Sequence, residues 1–274
     1  MKSLDVDGLC IRYADTGRGV PVLLAHCSSA SHKQWSALAD ELAGRYRVVA
    51  PDLIGYGRSD RWHEGRRFDP TADADAIVAL ADAIGGRFHL AGHSYGGAMA
   101  LEAARMLGDR VISLTLVEPV SFHVLELAGR QEEWRDILAV ARATRRAVER
   151  GKHRKAAAVY MGFWVGRARW LFMPRRLRAG IIGTIEKVAQ EFDAMERAPT
   201  RLADYASIDA PARLIVGERT RQPARAVTEV LAGLLPRATV EEVPGASHTS
   251  PFTHRDVVNR LVAGHIDEHG VVAK

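Results

Sequence analysis

Short runs rich in Val, Leu and Ile recur along the chain, separated by stretches of helical length. "VPVLLAH" (20–26), "YRVVAPD" (46–52), "RFHLAGH" (87–93), "VISLTLVE" (111–118), "ARLIVGE" (212–218) and "ATVEEVP" (238–244) each predict a strand. Helical patterns occupy 33–43, 71–84, 95–107 and 223–235, and a last one runs from Asp256 to about His265. Thr253 and Asp256 are spaced as a capping box in front of it. Alternation of this kind predicts an α/β fold, a mainly parallel sheet with helices on both faces. "LDV" and "LCIRYADTG" near the start read as a short antiparallel pair at the sheet edge.

The alternation fails between Glu118 and about Ser207, where helical sequence rich in Arg and Trp takes over. This predicts a core of residues 1–118 and 208–274 with an inserted helical segment, 119–207, forming a lid. The insertion begins at a strand's carboxyl end, the side on which open α/β sheets build ligand sites.

Composition narrows the class. With 47% hydrophobic and 26% charged residues over 274 positions, the chain reads as soluble and globular. Acidic residues stand in "MKSLDVDGLCIRYADTG" where a signal peptide needs an apolar core, and no stretch reaches the roughly 18 apolar residues of a membrane span, so a cytoplasmic protein without a membrane partner is expected. Cys10 and Cys27 fit no zinc or redox spacing and are expected as thiols. The net charge of +5 is uneven, with fourteen Lys/Arg against five Asp/Glu between Ser121 and Gly180. This reads first as a solvated helix face; an anionic substrate, a subunit contact in a homo-oligomer and polyanion binding are the alternatives. No groove-reading motif accompanies the arginines, so a nucleic-acid partner is not expected.

The chemistry centres on Gly92-His93-Ser94-Tyr95-Gly96, a G-x-S-x-G between a strand and a helix. Such a turn strains the serine backbone and brings strand and helix so close that only small residues fit two positions to either side, as Gly92 and Gly96 do. It also sets the hydroxyl at a helix amino terminus, where developing negative charge is stabilised. A serine needs a base, and the base an orienting acid. His248, in "VPGASHTSPF" after the last strand, is the best-placed base of the eleven histidines.

"LLAHCSSASHKQW", "VVAPDLIGYGRSD", "LAGHSYGGAMA" and "VPGASHTSPF", in this order, make the sequence resemble the α/β-hydrolase superfamily over essentially its whole length. The resemblance implies a sheet of about eight strands, a helical cap, Ser94 and His248 as catalytic pair, and oxyanion donors from the backbone N–H groups of Ser28 and Tyr95. It implies structural roles for His26 and for Asp52 with its "GYGRSD" loop. Cys27 stands where relatives carry a glycine and is read as a semi-buried thiol rather than a second nucleophile. Relatives usually place the acid after the seventh strand, where this chain has Gly217-Glu218-Arg219-Thr220; Thr220 cannot serve. Glu118, after the sixth strand, is the leading candidate, with Glu218 or no acid as alternatives. Trp134, Tyr160, Met161, Phe163, Trp164, Trp170, Phe172 and Met173 crowd the insertion and are divided between cap core and an apolar pocket.

The expected activity is cofactor-independent cleavage, without a metal, of a carboxylic ester, lactone or thioester through an acyl-enzyme on Ser94. The substrate would be a small molecule with an apolar acyl or aromatic part. Carbon–carbon hydrolysis, perhydrolysis and acyl transfer use the same groups, and a ligand-binding or signalling protein with a weakened triad is the reading from another class.

Overall fold

The computed structural model describes residues 1–270. Eight strands form one sheet in the order β1-β2-β4-β3-β5-β6-β7-β8: β1 (Lys2–Val6), β2 (Leu9–Gly17), β3 (Pro21–Ala25), β4 (Arg47–Pro51), β5 (Phe88–His93), β6 (Val111–Val117), β7 (Ala212–Gly217) and β8 (Ala238–Val243). The hairpin β1–β2 joins β4 antiparallel, and β4 through β8 pair in parallel. Strands buried on both faces need no polar alternation, and β5 and β6 are buried at every position. At the exposed edge, β8 carries Glu241 and Glu242, charges that discourage pairing with another chain.

Helices cover both faces. On one lie α2 (Ala72–Ile84), α3 (Tyr95–Leu107) and α10 (Gln222–Leu234); on the other lie α1 (Ser36–Leu42) and α12 (Arg255–Glu268). Neighbouring strand residues divide accordingly, Leu214 packing with the first set and Ile215 with the second. Between β6 and β7 the chain forms α4 (His123–Leu127), α5 (Gln131–Glu149), α6 (His153–Val165), α7 (Arg167–Phe172), α8 (Arg175–Glu196) and α9 (Leu202–Tyr205). Their apolar residues, including Trp134, Tyr160, Trp164 and Trp170, are continuous with the core on the α3 side.

Two local expectations need correction. Residues expected to open the first helix form a 3-10 turn, His32–Trp35, capped by Ser31, before α1 begins. The capping box of Thr253 and Asp256 does not form: His254 is the cap residue of α12 without a side-chain cap bond. Thr253 instead ends the short helix α11 (Ser250–Thr253), and its hydroxyl donates to the Thr249 carbonyl at 3.2 Å.

Five strand ends converge. Ala25 is in register with Gly92, His93 with Val117, and Gly217 with Val243, so the residues following β3, β5, β6, β7 and β8 emerge along one rim. The strand order reverses direction at β3, with β4 on one side and β5 on the other, which opens a crevice at these carboxyl ends.

Candidate active site

Ser94 sits in the turn between β5 and α3 with φ 56° and ψ −120°. A Cβ on Gly92 would lie 2.3 Å from the Gly96 carbonyl oxygen, and one on Gly96 would lie 2.2 Å from that of His26. Neither backbone can yield, so the crossing requires both glycines. Gly96→Ala is therefore expected to lose about 3 kcal/mol or more of stability, measurable by urea unfolding; a variant as stable as the parent would mean that the turn tolerates a wider crossing.

Only four described non-glycine residues have positive φ, and three belong to this rim: Ser29 (59°), Ser94 (56°) and Glu118 (44°). Each such conformation costs on the order of 1–3 kcal/mol and persists where surrounding contacts over-determine it. Those contacts are visible: the Ser94 amide donates to the Val117 carbonyl at 2.9 Å, and the Glu118 amide to that of Ile215 at 2.9 Å.

The three side chains picked out in the sequence form one hydrogen-bonded chain. His248 Nε2 is 2.9 Å from Ser94 Oγ, and its Nδ1 is 2.7 Å from Glu118 Oε2. With Ser94 donating to Nε2, the ring carries its proton on Nδ1 and donates it to Glu118. Glu118 is fully buried; its Oε1 accepts the Gly217 amide at 2.8 Å, and Oε2 also accepts the Thr220 hydroxyl at 2.5 Å. Thr220, at the position where relatives carry the acid, thus donates to the acid on the neighbouring strand. Glu218, the alternative, is exposed and its carboxylate accepts the Gly245 amide at 2.6 Å, away from His248.

Two further histidines hold this frame. Gln34 donates to Nδ1 of buried His93 at 3.1 Å, so Nε2–H of His93 donates to the His248 carbonyl at 2.9 Å and fixes the loop. Burial, reinforced by neighbouring His248, pushes His93 down to about 3. His26 accepts the Leu53 amide on Nε2 at 3.0 Å and donates from Nδ1 to the Cys27 carbonyl at 2.7 Å; burial holds it at about 4. It thereby ties the loop after β3 to the end of β4. Asp52 accepts the His32 and Arg58 amides, at 2.8 and 2.9 Å, and so shapes the loop after β4.

Tyr95 is the first residue of α3, and its amide has no acceptor inside that helix. The Ser28 amide has no acceptor among the described residues, while the Cys27 amide donates to Gln34 at 2.9 Å. Burial and then the nearby Glu191 push the Cys27 thiol up to about 12, which leaves it protonated and unreactive.

A buried acid that the sequence does not reveal stands above this rim. Glu191 of α8 accepts the Ser28 hydroxyl and the Tyr56 hydroxyl, each at 2.6 Å. Burial raises it to about 7 despite Lys187, whose ammonium lies 3.6 Å away. Lys187 pairs more closely with buried Asp73, at 2.7 Å, and lies 3.6 Å from the Phe68 ring centroid; Asp73 also accepts Tyr95 Oη at 2.9 Å. Within α8 the spacing of Lys187 and Glu191 looks like an ordinary surface pair, so only their burial distinguishes them.

Ser94, Ser28, Tyr160, Trp164, Glu191 and Phe192 line a cavity of about 10 Å³, room for about one water. Phe122, Phe192 and Met195 separate it from a second cavity lined by Trp134 and Ile137. The Trp164 indole stacks on the His248 ring, centroids 3.6 Å apart at 18°. Of the aromatic residues singled out in the insertion, Tyr160 and Trp164 thus face Ser94, Trp134 lines the second cavity, and Phe172 is 88% exposed. A wider cleft elsewhere, beside Trp170, contains no nucleophile.

A fold of this topology, with a serine on the turn after β5 and a histidine after β8, defines a hydrolase class, and comparison with known proteins agrees. The alpha/beta hydrolase family model matches residues 22–261, and the chain belongs to that family. It is 30% identical over 146 residues to a haloalkane dehalogenase of Sphingobium indicum, covering 52% of this chain and 49% of that protein. It is 34% identical over 131 residues to the 2-hydroxy-6-oxo-2,4-heptadienoate hydrolase of Pseudomonas putida, covering 46% and 47%. The match thus spans about half the length of these curated relatives. Among solved structures, a thermophilic esterase from Thermogutta terrifontis superposes with a TM-score of 0.75 over 97% of both chains at 23% identity, a likeness of fold.

Proposed function

We propose that the protein is a serine hydrolase of carboxylic esters, lactones or thioesters, with residues 119–207 acting as a cap over a core of 1–118 and 208–274. The observation that carries this reading is the unbroken chain of hydrogen bonds from Ser94 through His248 to Glu118. Ser94 Oγ attacks the substrate carbonyl while His248 Nε2 takes the hydroxyl proton; Glu118 keeps the ring oriented and stabilises the imidazolium. The oxyanion is held by the backbone N–H groups of Ser28 and Tyr95 and by the amino terminus of α3. His248 returns the proton to the leaving alcohol or thiol, and the acyl-enzyme is then cleaved by a water that His248 deprotonates. No step calls for a cofactor.

The cavity argues for an uncharged substrate with an apolar acyl or aromatic part. Its walls are Val120, Phe122, Val188, Phe192 and Met195, and its titratable lining is Glu191 and Tyr160 rather than a cation. Phe122, Phe192 and Met195 must shift to admit anything larger than water, and Met195 borders three cavities that would then merge.

Similarity to the heptadienoate hydrolase makes carbon–carbon bond cleavage the second reading, since the same groups serve it. An acid substrate would meet Glu191 without a free cation, which favours the ester reading. Halide displacement is disfavoured on chemical grounds. Attack by a serine would leave an alkyl ether, which water does not cleave as it does the ester formed on a carboxylate.

The test is to label the protein with a fluorophosphonate, map the adduct, and measure turnover of short and medium nitrophenyl esters. Labelling at Ser94, lost in Ser94→Ala together with turnover, is expected. Absence of both labelling and turnover in the parent protein would leave a binding protein on this fold.

A further inference from the structure

Residues 150–185 contain nine Lys/Arg and no Asp/Glu. Among the described residues, none of the nine pairs with an acid; the polar side-chain contact here is Arg178 Nη1 to the Leu171 carbonyl, at 3.4 Å. Elsewhere in the insertion several arginines do find acids: Arg145 lies 2.9 Å from Glu196, and Arg130 lies 2.9 Å from Glu229. From the end of α5 to the first turns of α8 the chain thus carries nine cations and no acid of its own.

The same corner exposes large apolar side chains. Leu171 is 65%, Phe172 88% and Leu177 58% exposed, within seven residues of one another. Beside them Arg154, Arg175, Arg178 and Trp170 line an open cleft of about 540 Å³. Apolar groups at the tip of a turn, ringed by cations without counter-charges, form a surface whose complement is apolar inside and anionic at its boundary.

We propose that the α7–α8 corner docks the protein on an anionic phospholipid surface, with Phe172, Leu171 and Leu177 entering the headgroup region and the surrounding arginines contacting phosphates. That no helix among the described residues is long and apolar enough to cross a membrane does not bear on this, because docking needs no span. A second copy of the chain is a poor complement, since it would set one cationic face against another. A nucleic acid would satisfy the arginines but give no partner to the apolar tip. Docking here places the bilayer against the helices that carry Tyr160 and Trp164, the walls of the Ser94 cavity.

The experiment is co-sedimentation of the full chain with vesicles of phosphatidylcholine alone and with about 30% phosphatidylglycerol, at low and at high salt. Binding to the anionic vesicles alone, weakened by salt, is expected. Arg175→Gln with Arg178→Gln should weaken it on the order of 25-fold, about five-fold per cation. Phe172→Ser should weaken it about ten-fold. These side chains are outside the core, and circular dichroism of each variant verifies its fold. No sedimentation with anionic vesicles, equal binding to neutral ones, or indifference to Phe172→Ser would each overturn the proposal; the last would mark a plain polyanion site. The readout is sedimentation, so the result does not depend on whether the protein cleaves esters.

Discussion

Glu118→Gln should lower the rate of ester cleavage by on the order of 10⁴, while Glu218→Gln leaves it near the parental value. A glutamine at 118 keeps the shape but changes the hydrogen-bond arithmetic. The Gly217 amide and the Thr220 hydroxyl both point donors at this side chain, at 2.8 and 2.5 Å, so the amide oxygen satisfies one of them and the amide nitrogen turns toward the other or toward His248. If it faces Nδ1, the imidazole is pushed into the tautomer with its proton on Nε2 and can no longer accept from Ser94. Glu218, bonded to the Gly245 amide, has no such leverage. Turnover of a nitrophenyl ester by each variant decides, and a near-normal Glu118→Gln enzyme would refute the assignment. Thr220→Asp gives a second reading of the same geometry. It would place two carboxylates around one imidazole proton, and the like charges would force one of them to hold a proton. Activity should fall; a rise would mean that Glu118 only holds the strand ends together.

The fold should also lose stability steeply as pH falls from about 6.5 to about 4. Burial holds His26, His89 and His123 at about 4 and His93 and His265 at about 3, all below the ordinary 6.5. Below 6.5 the unfolded chain takes up protons on these rings and the folded chain does not, so unfolding becomes more favourable with each added proton. The loss begins near 6.5 and ends once the folded rings titrate, near 3 to 4. Each ring contributes about 1.4 kcal/mol per pH unit inside that window, so even two of the five remove about 3 kcal/mol per unit. Glu191, raised to about 7, works in the opposite sense, since the folded chain holds its proton more tightly than the unfolded one. It is one group against five. Urea midpoints at pH 7.5, 6.5, 5.5 and 4.5 measure the balance, and a flat profile would show that the buried rings find compensating partners when charged.

The strand runs, the alternation with helices and the tight turn at Ser94 were legible because each rests on local spacing and on flanking residues that allow one geometry. Sheet order was not local. Whether Glu118 or Glu218 meets His248 depends on β6, β7 and β8 lying side by side with their ends in register, and nothing near either glutamate in sequence decides it. The altered role of Thr220 was hidden for the same reason. Glu191 and Lys187 were missed because a helix with acids and bases four apart reads as a wet surface until another layer covers it, and Asp73 because an acid in the first turn of α2 reads as an ordinary solvated helix start. The capping box failed where a serine-initiated turn ahead of it claimed Thr253.

The Lys187 contact has a consequence for chimeras. Exchanging the inserted helices for those of a relative would strip the ammonium from Asp73 and leave a buried carboxylate without its counter-ion, a defect that costs several kcal/mol even with the Tyr95 hydroxyl and the Ile54 amide still donating to it. The same exchange would remove the indole plane that shields the imidazole from bulk water. The insertion is therefore not an interchangeable module: a transplanted segment would have to carry both a buried cation and a flat aromatic group at matching positions.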